Sequence, residues 1–305
     1  MKGKLFIDGQ DAFAEYGIFV EQYGLKELIA MPSFKKIDST EWDEYDGEEY
    51  DLTNPVLDAH TLTLPFYVMD VFAVGDLFEV LSNKAYHTFD FKELGRTYKF
   101  RLANNSQLSR KIKIGNMALT FIQDEASIPV KEPMNTAPAG FNQEGYMLDG
   151  IDFSRFGIYV LHGTDENVMK APQVRENVKQ SDPSKHGTIY DDFSVKYKAK
   201  QTQLKLLIHA NDIADFWARY DSFFCQLLKP DIHVLYIPSN YQEYDCFYRK
   251  INIAKFDILK TGKVWCEFSV TLQFTNMTPL MNVLLLATED NEFVLTEEDE
   301  LCVIR

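Results

Sequence analysis

Leu62, Leu64 and Phe66 alternate with Thr61, Thr63 and Pro65, the period-two pattern of a strand with one face buried. The same alternation runs through Tyr98, Phe100 and Leu102, through Met117, Leu119 and Phe121, and through Phe193, Val195, Tyr197 and Ala199. It is longest from Val264 to Phe274, where apolar residues occupy every second position. Helical spacing is confined to two places. Asp70 offers a cap ahead of Val71, Val74, Phe78 and Leu81, with Gly75 inside the pattern. Asp212 offers another ahead of Ile213, Phe216, Trp217, Tyr220, Phe224, Leu227 and Leu228, and Pro230 closes that run. Strands that alternate rather than run continuously apolar belong to antiparallel sheets with one wet face. The expected fold is mainly β, a β-sandwich or barrel in which two packed antiparallel sheets are flanked by one helix per domain.

The pattern occurs twice. Residues 8 to 20, DGQDAFAEYGIFV, are answered by residues 149 to 160, DGIDFSRFGIYV. Asp8 and Gly9 match Asp149 and Gly150, while Tyr16, Gly17 and Ile18 match Phe156, Gly157 and Ile158, with one extra residue near Ala12 in the first copy. Gly17 and Gly157, like Pro32 and Pro172, stand 140 positions apart, and Leu62, Leu64 and Phe66 find apolar counterparts 142 later in Leu204, Leu206 and Ile208. Tyr16 to Val20 reads as a strand. A tandem duplication follows: a first domain over 1–127, a Pro/Gly linker over 128–145, a second domain over 146–280, and a C-terminal β-hairpin-like tail over 281–305. Such a tail, marginal alone, is expected to dock on its own domain or a neighbour.

Composition supports a folded chain, since 46% of the 305 residues are hydrophobic and 14% aromatic. No apolar window is long enough to cross a bilayer, and the opening MKGKLFIDGQD has no signal-peptide core, so cytoplasmic synthesis without membrane insertion is expected. The net charge of −15 repels phosphate backbones, which argues against nucleic-acid binding. Acids concentrate in residues 38 to 51, where Asp38, Glu41, Asp43, Glu44, Asp46, Glu48, Glu49 and Asp51 meet no base. Their order is not that of a calcium loop. Eight carboxylates cannot be buried together unpaired, so the stretch is expected to project toward solvent or a basic partner.

Cys225, Cys246, Cys266 and Cys302 lack metal or disulfide spacing and read as free thiols. The six histidines never pair at three or four residues, and no nucleophile elbow, P-loop or dinucleotide fingerprint is present. The chain therefore reads as a non-enzyme with no cofactor and no metal.

The strand from Phe6 to Val20, with its DG and YGI, and its return from Met147 to Val160 resemble the amino-terminal domain of phage distal tail proteins, which is similar to the tail tube domain. The resemblance covers residues 5–125 and 146–279. It implies a structural protein of a phage or prophage tail that assembles with itself into a ring, from six chains or as a pseudo-sixfold trimer, beside other tail proteins. Its site would be the cytoplasm during assembly and then the virion. The copies carry −8 over residues 1–140 and −1 over 141–280, which favours six chains with unequal roles. The second domain resembles the first rather than the galectin-like domain usual in that family. A tandem carbohydrate-binding or host-adhesion module, stacking sugars on Trp42, Tyr45 and Tyr50, is the alternative.

Overall fold

The computed structural model describes residues 1–275 apart from 22, 43–44, 106–107, 112, 142–144, 177–178, 182, 185 and 191–194, and beyond them residues 284–285 and 303–304. The first repeat holds β1 (Leu5–Ile7), β2 (Gln10–Asp11), α1 (Ala12–Tyr16), β3 (Ile18–Val20), β4 (Ser39–Thr40), β5 (Glu49–Tyr50), β6 (His60–Val68), α2 (Val74–Asn83), β7 (His87–Phe91), β8 (Arg96–Asn105), β9 (Ser109–Lys111) and β10 (Ile114–Gln123). The second holds β11 (Met147–Leu148), β12 (Ile151–Asp152), β13 (Tyr159–Val160), α3 (Thr164–Met169), β14 (Lys179–Gln180), β15 (Ile189–Tyr190), β16 (Gln201–Ala210), α4 (Ile213–Leu227), β17 (His233–Ile237), β18 (Gln242–Ile258) and β19 (Val264–Phe274). Of the tail, β20 (Leu284–Leu285) pairs antiparallel with β21 (Val303–Ile304); the apolar stretches expected as its strands otherwise lie outside the described residues.

The fold is mainly β, and the duplication is written into its topology. One sheet runs β2-β1-β7-β8-β10-β6-β3, with β9 added to β10, and the other runs β12-β11-β17-β18-β19-β16-β13. Every strand of the second order has its counterpart at the same place in the first. Each repeat is one curled antiparallel sheet that turns along one long strand: β8 gives Arg96–Phe100 to β7 and its second half to β10, and β18 gives Gln242–Cys246 to β17 and Cys246 onward to β19. The small hairpins correspond as well: β4 pairs with β5 and β14 with β15.

Local chemistry explains why the opening motif recurs. Asp8 and Asp149 adopt left-handed backbones (φ 50° and 52°), followed by glycines at φ 84° and 72°. Each turn brings its carboxylate to the strand after the long helix. Asp8 accepts from the Thr88 amide at 2.9 Å and meets His87 Nδ1 at 2.7 Å; Asp149 accepts from the Val234 amide at 2.8 Å and meets His233 Nδ1 at 2.8 Å. Asp11 and Asp152 then cap the next helical turn by accepting from Phe13 and Ser154. The extra residue of the first copy is absorbed here: Ala12–Tyr16 is a five-residue α-turn, where Phe153–Phe156 is a four-residue 3-10 turn. Tyr16 is thus helical and buried, and the strand is only Ile18–Val20. Gly17 and Gly157 end both turns with φ 64° and 67°. A Cβ on Gly17 would come within 3.1 Å of the Asp70 backbone.

Strand register corrects one correspondence. Val20 faces Phe66 and Val160 faces Leu206, so Phe66 answers Leu206, and the offset is 140 through this strand as well, not 142. Two further expectations change. Asp70 does not cap α2, which starts at Val74; its carboxylate instead accepts from the Phe72 amide in the preceding turn. No strand forms over the described part of 193–199, where Tyr197 makes a single bridge to Val174 and Val195 is exposed. Asp212 does cap α4, accepting from the Asp215 amide.

The two repeats share one hydrophobic core, joined through α4. Phe223 packs on Phe153 and Phe156 of its own repeat. The opposite side of the helix meets the first repeat: Trp217 Nε1 donates to the Leu94 carbonyl at 2.7 Å, and Tyr220 donates to the carbonyl of Ile29 at 2.5 Å. Arg96 lies 3.4 Å from the Trp217 ring centroid and pairs with Asp221. Burial pushes the Asp221 carboxyl above its ordinary range, against the pull of Arg96. From β18, Tyr248 donates to the Met31 carbonyl at 2.9 Å. In the linker, Arg155 Nε donates to Met134 and Phe141 stacks on Tyr159 at 4.1 Å, so this segment is held by the second repeat.

Candidate functional site

The acidic stretch folds as a small hairpin. Ser39 pairs with Tyr50 and Thr40 with Glu49. Its tip turns at Gly47, which is buried and has φ 79°. At that point the chain meets the second repeat, where the Gly47 amide donates to the Tyr197 carbonyl at 2.9 Å and the Tyr197 amide donates to Asp46 Oδ1 at 2.8 Å. Below the tip lies Arg175, 7% exposed. Its guanidinium donates to the Trp42 carbonyl at 2.5 Å and the Gly47 carbonyl at 2.8 Å, and Nε stands 2.9 Å from Glu41 Oε1. Two carbonyls and the nearby charge of Glu41 offset the burial of this guanidinium, although its Nε makes no hydrogen bond. Arg175, from the same chain, pairs with Glu41 and receives the hairpin tip, while Asp38, Glu49 and Asp51 stay exposed to solvent.

The acids divide accordingly. Glu41 and Asp46 make the dock. Glu48 is half-buried and bonds the Tyr50 hydroxyl; burial first, and this carboxylate second, push the Tyr50 phenol far up. Glu49 is exposed and accepts from Trp42 Nε1 at 3.0 Å. Asp38 lends its carbonyl to the Asp51 amide, and Asp51 accepts from Thr53, whose hydroxyl and amide hold the Asp51 carboxyl below the usual range. Asp43 and Glu44 lie outside the described residues. The hairpin stem covers a small apolar cluster of Ile37, Leu52 and Phe247, edged by Phe34 and Tyr50.

Sequence reasoning passed over Arg175, although a signal existed. It stands 140 residues after Lys35, and the two are structurally equivalent: Lys35 donates its amide to Val56 at 2.8 Å as Arg175 does to Lys196 at 2.7 Å, and the bridge of Phe34 to Leu57 matches that of Val174 to Tyr197. His87 and His233 were likewise not singled out. Both are buried, and each presents its second nitrogen to carbonyls near the end of the long helix, Leu81 and Lys84 for one and Lys229 for the other. Each ring is thus held at both nitrogens, by the turn aspartate on one side and by the helix end on the other. Burial would raise the Asp8 and Asp149 carboxyls, but their hydrogen bonds outweigh it and hold both below the usual range. The repeat motif residues Asp8, Gly9, Asp149 and Gly150 are thus structural ties between the first strand, the helix end and the following strand.

Little else resembles a reaction centre. Cys246 and Cys266 are buried and their thiols are pushed far up by desolvation, the reverse of an activated nucleophile. Cys302 lies outside the described residues. Lys200 is buried and held down at about 8, chiefly by burial and then by the charge of Lys170. Its ammonium is committed to the Val168 and Lys170 carbonyls at the end of α3. His209 is an exposed rim residue packed on Trp265. Among the described residues no group of three or more His, Cys, Asp or Glu is placed to hold a metal, and no helix is long and apolar enough to cross a membrane. No known protein family model matches the chain, and no curated protein matches it.

Proposed function

We propose that this chain is a non-catalytic structural component of a phage or prophage tail, a subunit of a distal tail ring, a baseplate hub or the tail tube. The observation that carries this reading is the pair of sheets with one strand order, a duplicated unit whose opening motif resembles the tail tube-like domain. The contact between repeats adds support because it is heterologous. The first repeat gives the carbonyls of Ile29, Met31 and Leu94 and the hairpin tip, and the second gives α4, Tyr248 and Arg175. Unlike surfaces that meet in this way, repeated through copies, build a closed ring where the rotation closes and an open filament where it does not, and both are tail architectures. The partners are further copies of the chain, as a pseudo-sixfold trimer or as six chains, and other tail proteins. The chain assembles in the cytoplasm and ends in the virion. Imaging of assembled tails tests the reading: three or six chains around the axis are expected, and a dimer, or four or five chains, would overturn it.

One observation favours a second reading, a tandem carbohydrate-binding or adhesion module. Trp42 and Tyr45 are 49% and 70% exposed beside a cleft of about 660 Å³ that also presents Asp46 and Glu49. Aromatic faces next to acidic acceptors suit sugar rings. Saturable binding on a glycan array, lost on Trp42→Ala, would favour this reading over the first.

A further inference from the structure

The Arg175 dock has an empty counterpart. At the equivalent position of the first repeat stands Lys35, exposed, with the same backbone bonding. Lys35 lines a cleft of about 690 Å³ between the repeats, together with Lys36 from the same segment and Arg249 and Lys250 from β18. None of these four cations has a carboxylate within ion-pair distance among the described residues. Glu48, committed to the Tyr50 hydroxyl, is the one acid among the described lining residues. In a chain of net charge −15, four unpaired cations around one cleft are a local reversal of sign. The floor is not wholly polar: Phe34, Ile37 and Tyr50 reach it from the small cluster under the hairpin stem.

We propose that this cleft binds an acidic polypeptide segment of another protein, in the manner in which Arg175 receives the tip of the acidic hairpin. The internal dock states the chemistry, with cation to carboxylate and main-chain carbonyls and an aromatic edge beside them. A second copy's equivalent hairpin, residues 179–190, is a poor occupant, because it carries Lys179 and Lys185 against Asp182. Like charge would meet like charge there, so the positive cleft selects a different and acidic segment. The inference is independent of the tail reading, since it rests on the four cations of the cleft and on the equivalence of Lys35 to Arg175.

The probe is a fluorescent peptide with the sequence of residues 38–51, DSTEWDEYDGEEYD, titrated into the full chain and followed by anisotropy. Saturable binding is expected, weakening as salt rises, with no binding of the analogue in which every Asp and Glu is Asn or Gln. Lys35→Glu combined with Arg249→Glu should weaken binding by roughly tenfold or more while melting stays unchanged. Lys36→Glu with Lys250→Glu, both fully at the surface, gives the same readout if the first pair disturbs folding. Undiminished binding in these variants would place the peptide elsewhere, for instance at Arg175 in exchange for the resident hairpin, and would overturn the proposal. So would displacement of the peptide by inorganic phosphate at equal concentration, the mark of a general anion site, or formation of dimers by the chain alone that Lys35→Glu abolishes.

Discussion

The two long helices occupy the same place in sheets of the same order, yet one is buried on nearly every side and the other on a single face. In α4, Phe216, Trp217, Tyr220, Phe223, Phe224 and Leu227 are all buried; in α2 only Val74, Leu77 and Leu81 are. Counting back from the equivalent His87 and His233, Val74 answers Tyr220, Leu77 answers Phe223 and Phe78 answers Phe224. The inward positions are apolar in both. The difference lies in size and reach, since Trp217 and Tyr220 are large rings whose hydrogen-bonding tips meet the first repeat, whereas the equivalent Val71 and Val74 are small, buried and without a polar tip. Duplication has thus preserved the ties inside each sheet and changed the surfaces that leave it, as Arg175 and Lys35 also show.

That contrast can be broken most sharply in the helices. Phe224→Ala should cost about 4 kcal/mol, whereas Phe78→Ala, at the half-buried equivalent, should cost about 1, as measured by urea denaturation. Equal costs would mean that α4 gains nothing from its second face. Next come the docks: Arg175→Met should destabilise by about 3 kcal/mol, because it strands the Trp42 and Gly47 carbonyls, while Lys35→Met should stay within about 0.5. The conserved ties should behave alike. Asp8→Asn and Asp149→Asn are each expected to cost about 2 kcal/mol, and a large inequality would show that the two turns are not equivalent.

These carboxylates also set an acid limit. Because both are held below their unfolded values, the stability they contribute is present above about pH 4 and is lost as pH falls through the folded values. The Asn variants should therefore show a smaller loss of melting temperature between pH 5 and the acid end than the parent chain. The smallest effect concerns the glycine caps. Gly17→Ala, which presses on the Asp70 backbone, and Gly157→Ala, which meets a buried Arg219 side chain held by Asp215 and the His209 carbonyl, should each cost about 1.5 kcal/mol.

The sequence by itself determined the mainly β class, the duplication and the Asp212 cap, since each is carried by patterns of residues close together in the chain; that Gly17 and Gly157 are left-handed caps and not strand residues was decided by the fold. Alternation identified β6 and β16 because a half-buried strand repeats every two residues. The same period made the offset ambiguous, since a slip of two leaves every side chain on its face, and only pairing with β3 and β13 fixed it at 140. At five residues each, β7 and β17 are too short for the alternation to single out. Placement of α2 failed at Asp70 because a turn in front of the helix competes for the same carboxylate. The fate of the acidic stretch was decided only in three dimensions. Its charge required solvent or a basic partner, but which base, and whether it lay in the same chain, depended on a contact between residues 128 to 134 positions apart, Arg175 with Gly47, Trp42 and Glu41. Charge patterns state a requirement; tertiary packing chooses the group that meets it.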